Sequence, residues 1–314
     1  MVRDIQMSKV GSLGSLQILQ SFSDAMTELA DKVGSSVVRV RSRRGFGSGV
    51  IWSEDGYILT CSHVVGRTAT VEVGLGEGPR LEAKVIGHDP YADMALLKVE
   101  QTGLKPVEVG DSEAVEVGQL VFAFANPFGG SPSTTSGIVT TAKASLGWGP
   151  GSGEDVIITD APLNPGYSGG PLVNASGKMI GLNVAYANSR GISIPINSVK
   201  GTITALINEG RIRMAHLGIS VDAVSLPKRL TDEVHTDQEE GLMILEVETD
   251  SPAKKAGLLV GDILVTFAKS PITGHNDLYR LLTKDAIGKS TEIGILRAEK
   301  LVKLTVTPTE DETQ

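Results

Sequence analysis

Apolar and polar positions follow three successive patterns along the chain. Residues 15–33 place apolar side chains at helical spacing, which predicts a short N-terminal helix or extended arm within residues 1–35. From Val37 onward, short apolar runs recur between turn residues with no long helical pattern among them, for example at 57–60, 95–99 and 120–124. Many short strands at such spacing are typical of β-barrels.

A second unit follows a helical segment in the later half of the chain. Residues 195–210 have the pattern of a helix with a glycine stop. Beyond it come further short strands and two short helices, near Ala253 and Asn276. The sequence therefore predicts three parts: an N-terminal arm over 1–35, a β-rich domain over 36–210 and a second domain over 211–310.

The composition is that of a chain that builds a core, and it narrows the possible functions. Of the 314 residues, 40% are hydrophobic and 37 are glycine, which favours short strands and tight turns. The net charge of −8 argues against a nucleic-acid partner, because such proteins usually present a basic face. Cys61 is the only cysteine, so neither an intrachain disulfide nor a cysteine-based zinc site can form. No metal or other cofactor is expected.

The N-terminal segment lacks an apolar stretch long enough for a signal peptide or a membrane span. If Met1 is the native start, this pattern predicts a chain that begins as a cytoplasmic protein without a membrane span. If an export or anchor segment has been removed before it, that expectation does not apply.

A candidate catalytic serine lies in a glycine-rich segment between two apolar runs. Gly166, Tyr167 and Ser168 are followed there by Gly169 and Gly170. A nucleophilic serine needs an exposed turn and backbone N–H groups directed at the developing oxyanion, which the N–H groups of Gly166 and Ser168 can supply. Gly169 and Gly170 are expected to keep the space around the hydroxyl open. Taken alone, the segment is also compatible with a glycine-rich hairpin turn.

Two upstream residues complete a candidate catalytic set. A serine hydroxyl is a poor nucleophile and needs a base, the usual role of a histidine side chain, and His63 follows a predicted strand. Asp93 begins an apolar strand, where a buried carboxylate is costly unless it is paired. Alone, His63 is compatible with a surface or core histidine, and Asp93 with a turn residue. The chain order His63, Asp93, Ser168 is much more specific than any one member.

Several motifs together resemble the HtrA (Deg) family of serine proteases, and they occur in that family's order. They lie at 47–51, 56–65, 92–99, 125–129, 135–139, 159–172 and 191–196. The resemblance implies a mostly β, chymotrypsin-like double β-barrel, with two six-stranded barrels and the triad in the cleft between them. It also implies ATP-independent proteolysis of unfolded or damaged proteins, usually by a homotrimer. The alternative is a non-catalytic peptide-binding holdase or sensor on the same scaffold.

The chain departs from the family pattern next to the candidate catalytic residues. Tyr167 stands where the family usually has asparagine, and its ring could alter access or loop dynamics, whereas the backbone oxyanion donors should survive. Cys61 and Ser62 stand where the family usually has asparagines. Cys61 is interpreted as a small apolar filler, with a redox role as the alternative. The glycine-rich segment Lys143–Asp155 is the candidate sensor loop of an oxyanion switch.

Substrate specificity is predicted from the position six residues before the nucleophile. Related proteases that cleave after Lys or Arg carry an acidic residue there, whereas this chain has Pro162, followed by Leu163. A pocket without a buried carboxylate cannot offset the desolvation of a cationic side chain. We therefore expect Pro162 and Leu163 to line an S1 pocket that accepts small or medium aliphatic residues.

The C-terminal unit resembles a PDZ domain, a small α+β barrel, in the permuted bacterial arrangement. The resemblance rests on the segments 216–219, 241–247, 251–263 and 276–282. In such a domain an extended peptide pairs with the strand that follows Leu217, Gly218 and Ile219, and loop N–H groups capture its C-terminal carboxylate. Peptide C-termini and unfolded proteins are therefore the expected partners. The alternative is that Leu217 and Ile219 are only core strand residues.

Overall fold

The computed structural model describes residues 12–43, 45–76, 78–90, 92–145, 155–187, 190–210, 213–226 and 238–310. Helix α1 spans Ser12–Gly34 and precedes the first strand. The apolar side chains of its C-terminal half pack against the protein core: Met26, Leu29, Ala30 and Val33. Those of its N-terminal half are exposed: Leu16, Ile18, Leu19 and Phe22. The helix that the spacing predicts is present, and its last turns anchor it.

Six antiparallel strands close into a first barrel in the order β1-β2-β3-β6-β5-β4. They are β1 (Val37–Ser42), β2 (Gly45–Ile51), β3 (Tyr57–Thr60), β4 (Thr70–Gly74), β5 (Arg80–Asp89) and β6 (Met94–Val99). The one-turn helix α2 (Ser62–Val65) follows β3. Strand β4 alternates exposed and buried residues, as expected for a strand with one face in solvent. Four successive residues of β6 are buried, because both of its faces are covered.

Six further strands close into a second barrel in the order β10-β11-β12-β9-β8-β7. They are β7 (Leu120–Ala125), β8 (Ser133–Ser145), β9 (Asp155–Thr159), β10 (Pro171–Asn174), β11 (Met179–Ala187) and β12 (Arg190–Pro195). Helix α3 (Ile196–Glu209) follows β12, ends at Gly210 in the left-handed conformation, and packs against strands of both barrels. The predicted helix near residue 195 is therefore present, and one apolar cluster runs through both barrels.

The C-terminal unit consists of β-sheets and two short helices. Its main sheet has the order β14-β15-β16-β18-β19, with β17 paired to β16, and β13 pairs separately with β20. The strands are β13 (Ala215–His216), β14 (Ile219–Ser225), β15 (Glu240–Val247), β16 (Ile263–Phe267), β17 (Ser270–Pro271), β18 (Thr291–Arg297), β19 (Lys300–Val306) and β20 (Thr309–Glu310). The helices are α4 (Pro252–Ala256) and α5 (His275–Leu281), with a 3₁₀ turn at Lys284–Ala286.

The fold class predicted from the sequence is confirmed: two closed six-stranded barrels precede a small α+β unit. The boundaries at 36, 210 and 310 stay predictions. Most of the candidate sensor loop, residues 146–154, lies outside the described residues. Among the helices that the structure describes, none combines the length and apolar character that a membrane crossing requires.

Candidate active site

The candidate catalytic residues come from both barrels. His63 lies on α2, directly after β3 of the first barrel, and Asp93 immediately precedes β6, the strand hydrogen-bonded to β3. Ser168 lies in the segment between β9 and β10 of the second barrel. That segment joins the first barrel through a hydrogen bond from the Ser48 N–H to the Ser168 carbonyl oxygen, 2.8 Å long. The His63–Asp93 pair and the Ser168 segment therefore lie on the two barrels that this hydrogen bond joins.

Asp93 holds His63 at two points. One carboxylate oxygen, Oδ2, lies 2.6 Å from His63 Nδ1, and the other, Oδ1, accepts the His63 backbone N–H at 2.9 Å. The Asp93 side chain is buried, whereas the His63 side chain is 43% exposed. A carboxylate accepts hydrogen bonds, so this geometry places the proton of a neutral imidazole on Nδ1 and leaves Nε2 as an acceptor. Nε2 is the atom that a general base needs.

Asp93 adopts a backbone conformation that is uncommon for a residue with a side chain. Its φ of 48° lies in the left-handed region, where aspartate and asparagine are more tolerated than other non-glycine residues. In this conformation both carboxylate oxygens reach His63, and the Asp93 carbonyl oxygen also accepts the Ser62 N–H at 3.2 Å. The bend at Asp93 therefore places its carboxylate under α2.

The Ser168 hydroxyl donates to the carbonyl oxygen of Val184 in β11, at 3.1 Å. In this rotamer the hydroxyl is directed at the second barrel and not at His63. Sequence reasoning missed Val184, and no residue pattern could have found it, because its backbone oxygen makes the contact. Hydrogen bonds of unliganded catalytic sites are often made only when substrate binds.

The backbone before Ser168 forms a turn with two N–H groups available to a ligand. The Tyr167 N–H donates to the Asn164 carbonyl oxygen at 3.0 Å, which closes a turn over Pro165 and Gly166. Gly166 has a φ of 94°, as position i+2 of a type II turn requires, and proline is common at position i+1. Within the described part of the chain, the N–H groups of Gly166 and Ser168 have no backbone acceptor.

The expectation that Gly169 and Gly170 keep space open around the hydroxyl is wrong. A Cβ at Gly169 would collide with the Ser48 carbonyl oxygen and the Thr60 hydroxyl, and one at Gly170 would collide with the Phe124 carbonyl oxygen. The backbones of neighbouring strands occupy that space. Both glycines are therefore needed for close packing between the Ser168 segment and the two barrels.

Tyr167 does not extend into the cleft. Its side chain is 3% exposed and packs in the second-barrel core with Leu163, Leu172 and Ile180. Burial raises the pKa of Tyr167, and a hydrogen bond with Thr135 opposes that increase. The ring therefore supports the Ser168 segment from beneath and does not cover the entrance to the site.

Cys61 is fully buried, as expected of a small apolar filler. Its thiol lies 3.3 Å from the Asn183 carbonyl oxygen. Burial, and secondly the negative charge of Asp93, raise the pKa of the Cys61 thiol well above its ordinary value. Donor atoms of Cys61, His63 and Asp93 lie within 4.8 Å of one another, and both carboxylate oxygens of Asp93 are already engaged by His63.

Pro162 and Leu163 lie between β9 and the Ser168 turn. Pro162 is exposed, and its carbonyl oxygen accepts the Thr135 hydroxyl at 2.7 Å. Leu163 is 7% exposed, and a Cβ at Gly191 would lie 3.2 Å from its Cγ. The carboxylate of the nearby Asp160 accepts the Ile138 N–H at 2.6 Å. The S1 assignment of Pro162 and Leu163 stays a prediction.

A groove in the C-terminal unit runs between β14 and α5. Residues on both sides line it, among them Leu217, Gly218, Ile219, Leu278 and Tyr279. Strand β14 is at the edge of its sheet, so one of its sides has no strand partner among the described residues, and the His275 side chain of α5 lies 3.1 Å from the Val221 carbonyl oxygen of β14. Gly218 has a φ of 74°, and a Cβ there would collide with Ser251. The glycine is therefore required by packing against α4, and its predicted role in peptide binding stays untested.

Two family models match the chain: a trypsin-like peptidase domain over residues 47–182 and a PDZ domain over residues 215–307. Among curated proteins, the chain is 35% identical over 275 residues to a probable periplasmic serine endoprotease DegP-like of Halomonas elongata, covering 84% of this chain and 56% of the relative. It is 36% identical over 278 residues to a putative serine protease HhoB of Synechocystis, and the match covers 84% of this chain and 66% of that relative. It is 32% identical over 286 residues to Protease Do-like 1, chloroplastic, of Arabidopsis thaliana, with 84% and 63% covered.

Solved structures agree with these matches. An HtrA-type protease, AlgW, with a decapeptide superposes with a TM-score of 0.74 at 27% identity, over 92% of this chain and 99% of that one. A serine endoprotease from Yersinia pestis superposes with a TM-score of 0.70 at 27% identity, over 91% and 98%. The chain spans between 56% and 66% of the length of the curated relatives named above.

Proposed function

Because the chain belongs to the HtrA (Deg) family of trypsin-like serine proteases with a C-terminal PDZ domain, we propose that it is an ATP-independent serine endopeptidase that degrades unfolded or damaged proteins. One observation carries the proposal: Asp93 holds His63 with Nε2 as an acceptor, while the Ser168 segment, joined to the first barrel by the Ser48 N–H, has two N–H groups without a backbone acceptor among the described residues. The holdase alternative is not favoured by the comparisons.

The proposed reaction begins with a rotation of the Ser168 hydroxyl from Val184 toward His63. His63 Nε2 then takes the hydroxyl proton while Ser168 Oγ attacks the peptide carbonyl carbon. Asp93 stabilises the resulting imidazolium through Nδ1. The N–H groups of Gly166 and Ser168 stabilise the oxyanion, and His63 returns the proton to the leaving amine. The peptide C–N bond breaks and leaves an acyl-enzyme. His63 then takes a proton from water, which attacks the acyl carbon, and returns that proton to Ser168 Oγ as the acyl group leaves.

We expect cleavage after small or medium aliphatic residues such as Val, Ala or Leu. Pro162 and Leu163 offer no charge to a cationic side chain, and the Asp160 carboxylate is engaged by the Ile138 N–H. Mass spectrometry of peptides from denatured casein, with Ser168→Ala as the background control, measures the residue before each cut. A dominant preference for Lys or Arg would contradict the assignment of this pocket.

We propose that the groove beside β14 binds peptide C-termini by strand addition. The supporting observation is the edge position of β14 opposite α5, beside a groove lined by apolar residues such as Leu217, Ile219 and Leu278. An added strand would displace the His275 side chain from the Val221 carbonyl oxygen. AlgW, to which the chain is similar, has been solved with a decapeptide. In this protein the peptide either tethers a substrate or changes the activity of the protease domain.

Two contacts of α5 favour regulation over simple tethering. The Tyr279 hydroxyl lies 2.8 Å from each carboxylate oxygen of Asp89, which is buried at the end of β5 and whose Oδ1 accepts the Ala92 N–H at 3.0 Å. The next residue, Arg280, lies 3.8 Å from the Asp155 carboxylate, at the end of the candidate sensor loop. Tyr279 also lines the peptide groove. A peptide in that groove therefore lies against a residue that contacts the segment leading to Asp93.

Peptides with apolar C-termini are expected to raise kcat/KM for a separate fluorogenic substrate, and Tyr279→Phe is expected to reduce that activation several-fold. The hydroxyl of Tyr279 donates to a carboxylate, an interaction worth about 1.5–3 kcal/mol. Tyr57→Phe, in β3, is the matched control and should be activated like the wild type. Equal activation of the wild type and Tyr279→Phe would show that the Tyr279–Asp89 contact does not transmit the effect of the peptide. No activation of either protein would favour tethering.

A homotrimer is proposed from the family resemblance alone. Sedimentation velocity of the wild type and of Ser168→Ala, which cannot digest itself, measures the assembly directly. The expected cytoplasmic location stays a prediction and competes with export, because relatives carry periplasmic and chloroplastic names. Fractionation of cells that express the native gene distinguishes the two locations.

A further inference from the structure

Every polar group of Ser48 makes a hydrogen bond, and its hydroxyl and N–H bond to segments of the second barrel. Its side chain lies in β2 and is fully buried. Its hydroxyl donates to the Gly166 carbonyl oxygen at 2.7 Å and accepts the Asn126 N–H at 2.8 Å. Its backbone N–H donates to the Ser168 carbonyl oxygen at 2.8 Å, and its own carbonyl oxygen accepts the Thr60 hydroxyl at 2.7 Å.

The direction of the Ser48 hydroxyl bond is determined by its neighbours. The Asn126 N–H can only donate, so the hydroxyl oxygen accepts there, and the hydroxyl proton is left for the Gly166 carbonyl oxygen, which can only accept. The hydroxyl therefore joins the segment after β7 to the turn before Ser168. With alanine at this position, the Gly166 carbonyl oxygen would lose a half-buried hydrogen bond and the Asn126 N–H a buried one.

Ser48 forms hydrogen bonds with two peptide groups, the one between residues 166 and 167 and the one between residues 168 and 169. These flank the peptide group that carries the Ser168 N–H. The plane between residues 166 and 167 is held at its carbonyl by Ser48 and at its N–H by the Asn164 carbonyl oxygen. The plane between residues 168 and 169 is held at its carbonyl by the Ser48 N–H and at its N–H by the Asn183 carbonyl oxygen, at 2.8 Å each. Peptide groups are planar, so anchoring these two restricts the peptide between them, which carries the Ser168 N–H.

The same anchors restrict the other oxyanion donor. The Gly166 N–H belongs to the peptide that precedes the first anchored plane, inside the hydrogen-bonded turn that starts at Asn164. The peptide that carries the Gly166 N–H is linked to the anchored 166–167 peptide through the φ and ψ bonds of Gly166. Gly166 has a φ of 94°, and glycine by itself opposes rotation about these bonds only weakly. The hydrogen bond from the Ser48 hydroxyl to the Gly166 carbonyl oxygen restricts this rotation.

We propose that Ser48 is a positioning residue that holds the N–H groups of Gly166 and Ser168 in the orientation that binds the oxyanion. The inference rests on the proposed function, and it assigns Ser48 no contact with substrate. Loss of one oxyanion donor lowers kcat by about 10²–10³-fold in serine proteases, and a donor that is present but poorly held costs less. Ser48→Ala is therefore expected to lower kcat by about 10–10²-fold, with KM changed less than about threefold.

The test measures kcat and KM on a fluorogenic peptide, together with the inhibition constant of a peptide boronate, whose tetrahedral adduct uses the oxyanion donors. Ser48→Ala should weaken boronate inhibition in proportion to the loss of kcat/KM, while the pH dependence of kcat/KM keeps its midpoint because His63 is untouched. Ser48→Cys, of similar size and with a weak donor, should give intermediate values and serves if the alanine variant does not fold. Ser112→Ala is the matched control, because it removes another buried serine hydroxyl, one that accepts the Asn197 N–H, away from the Ser168 segment.

Two results overturn the inference in different ways. If Ser48→Ala and Ser48→Cys lower only the melting temperature, as Ser112→Ala does, and retain wild-type kcat and boronate inhibition, Ser48 is purely structural. If the wild type itself hydrolyses neither peptide nor casein, the proposed function is wrong and this inference falls with it. An active wild type that Ser168→Ala abolishes, with the kcat-specific loss at Ser48, supports both.

Discussion

Ser168→Ala is expected to abolish casein hydrolysis, lowering kcat on the order of 10⁶-fold, as loss of the nucleophile does in other serine proteases. The structural cost of the change is small. The hydroxyl makes one hydrogen bond, to the Val184 carbonyl oxygen, and a single neutral bond contributes about 1 kcal/mol to stability. The variant should therefore fold, bind peptide C-termini and assemble like the wild type. Release of acid-soluble peptides from casein, with circular dichroism on the same samples, measures both properties.

Two further variants test whether the loss of activity is due to the nucleophile and not to the loss of any buried hydroxyl. Ser112→Ala removes a buried hydroxyl elsewhere and should retain wild-type kcat. A double variant with His63→Ala should be no slower than Ser168→Ala alone, because the two residues act as one unit. Casein turnover that survives Ser168→Ala would refute the nucleophile assignment. A wild type that is inert toward casein, yet suppresses aggregation of a denatured client protein, would favour the holdase alternative.

Asp93→Asn is expected to lower kcat about 10⁴-fold while leaving the backbone unchanged. The carboxylate faces two donors, the His63 backbone N–H at 2.9 Å and His63 Nδ1 at 2.6 Å. An asparagine amide has only one oxygen, and the backbone N–H can only donate, so that oxygen turns toward the backbone. The amide NH₂ then faces Nδ1 and makes it an acceptor. The imidazole proton moves to Nε2, where it blocks removal of the serine proton.

The buried carboxylate of Asp262 provides the matched control for Asp93→Asn. It pairs with Arg297 at 2.7 Å in the C-terminal unit, so Asp262→Asn also neutralises a buried carboxylate, but away from His63. That control should lower thermal stability and keep the protease kcat. Single-turnover measurements with an activated ester separate the acylation step from product release. An Asp93→Asn enzyme within tenfold of wild-type kcat would remove Asp93 from the proposed mechanism.

Local patterns in the sequence were sufficient for the main features of the fold. Short apolar runs between turn residues predicted the barrels, because each strand buries at least one face whichever strand it pairs with. Helical spacing predicted α1, and the glycine stop at Gly210 predicted the end of α3. The chain order His63, Asp93, Ser168 indicated the candidate triad, and the structure brings His63 and Asp93 into contact as that order suggested.

Where side chains lie relative to distant segments could not be read from the sequence. Tyr167 suggested a change at the entrance of the site, yet its ring is in the second-barrel core. Gly169 and Gly170 suggested open space, yet the carbonyls of Ser48 and Phe124 occupy it. Both differences share one cause: the residue that occupies or surrounds the position is many residues away along the chain.

The sequence by itself indicated the candidate catalytic residues and the main strands and helices, because residue type and spacing are local properties. Only the tertiary structure decided how those residues are held. The pairing of β3 with β6 places Asp93 under His63, and contact between the barrels brings Ser48 to the Gly166 and Ser168 carbonyls. Packing of α5 against the protease domain brings Tyr279 to Asp89. Hydrogen bonds depend on distance and direction between groups, and for these groups the closed barrels and the packed domains set both.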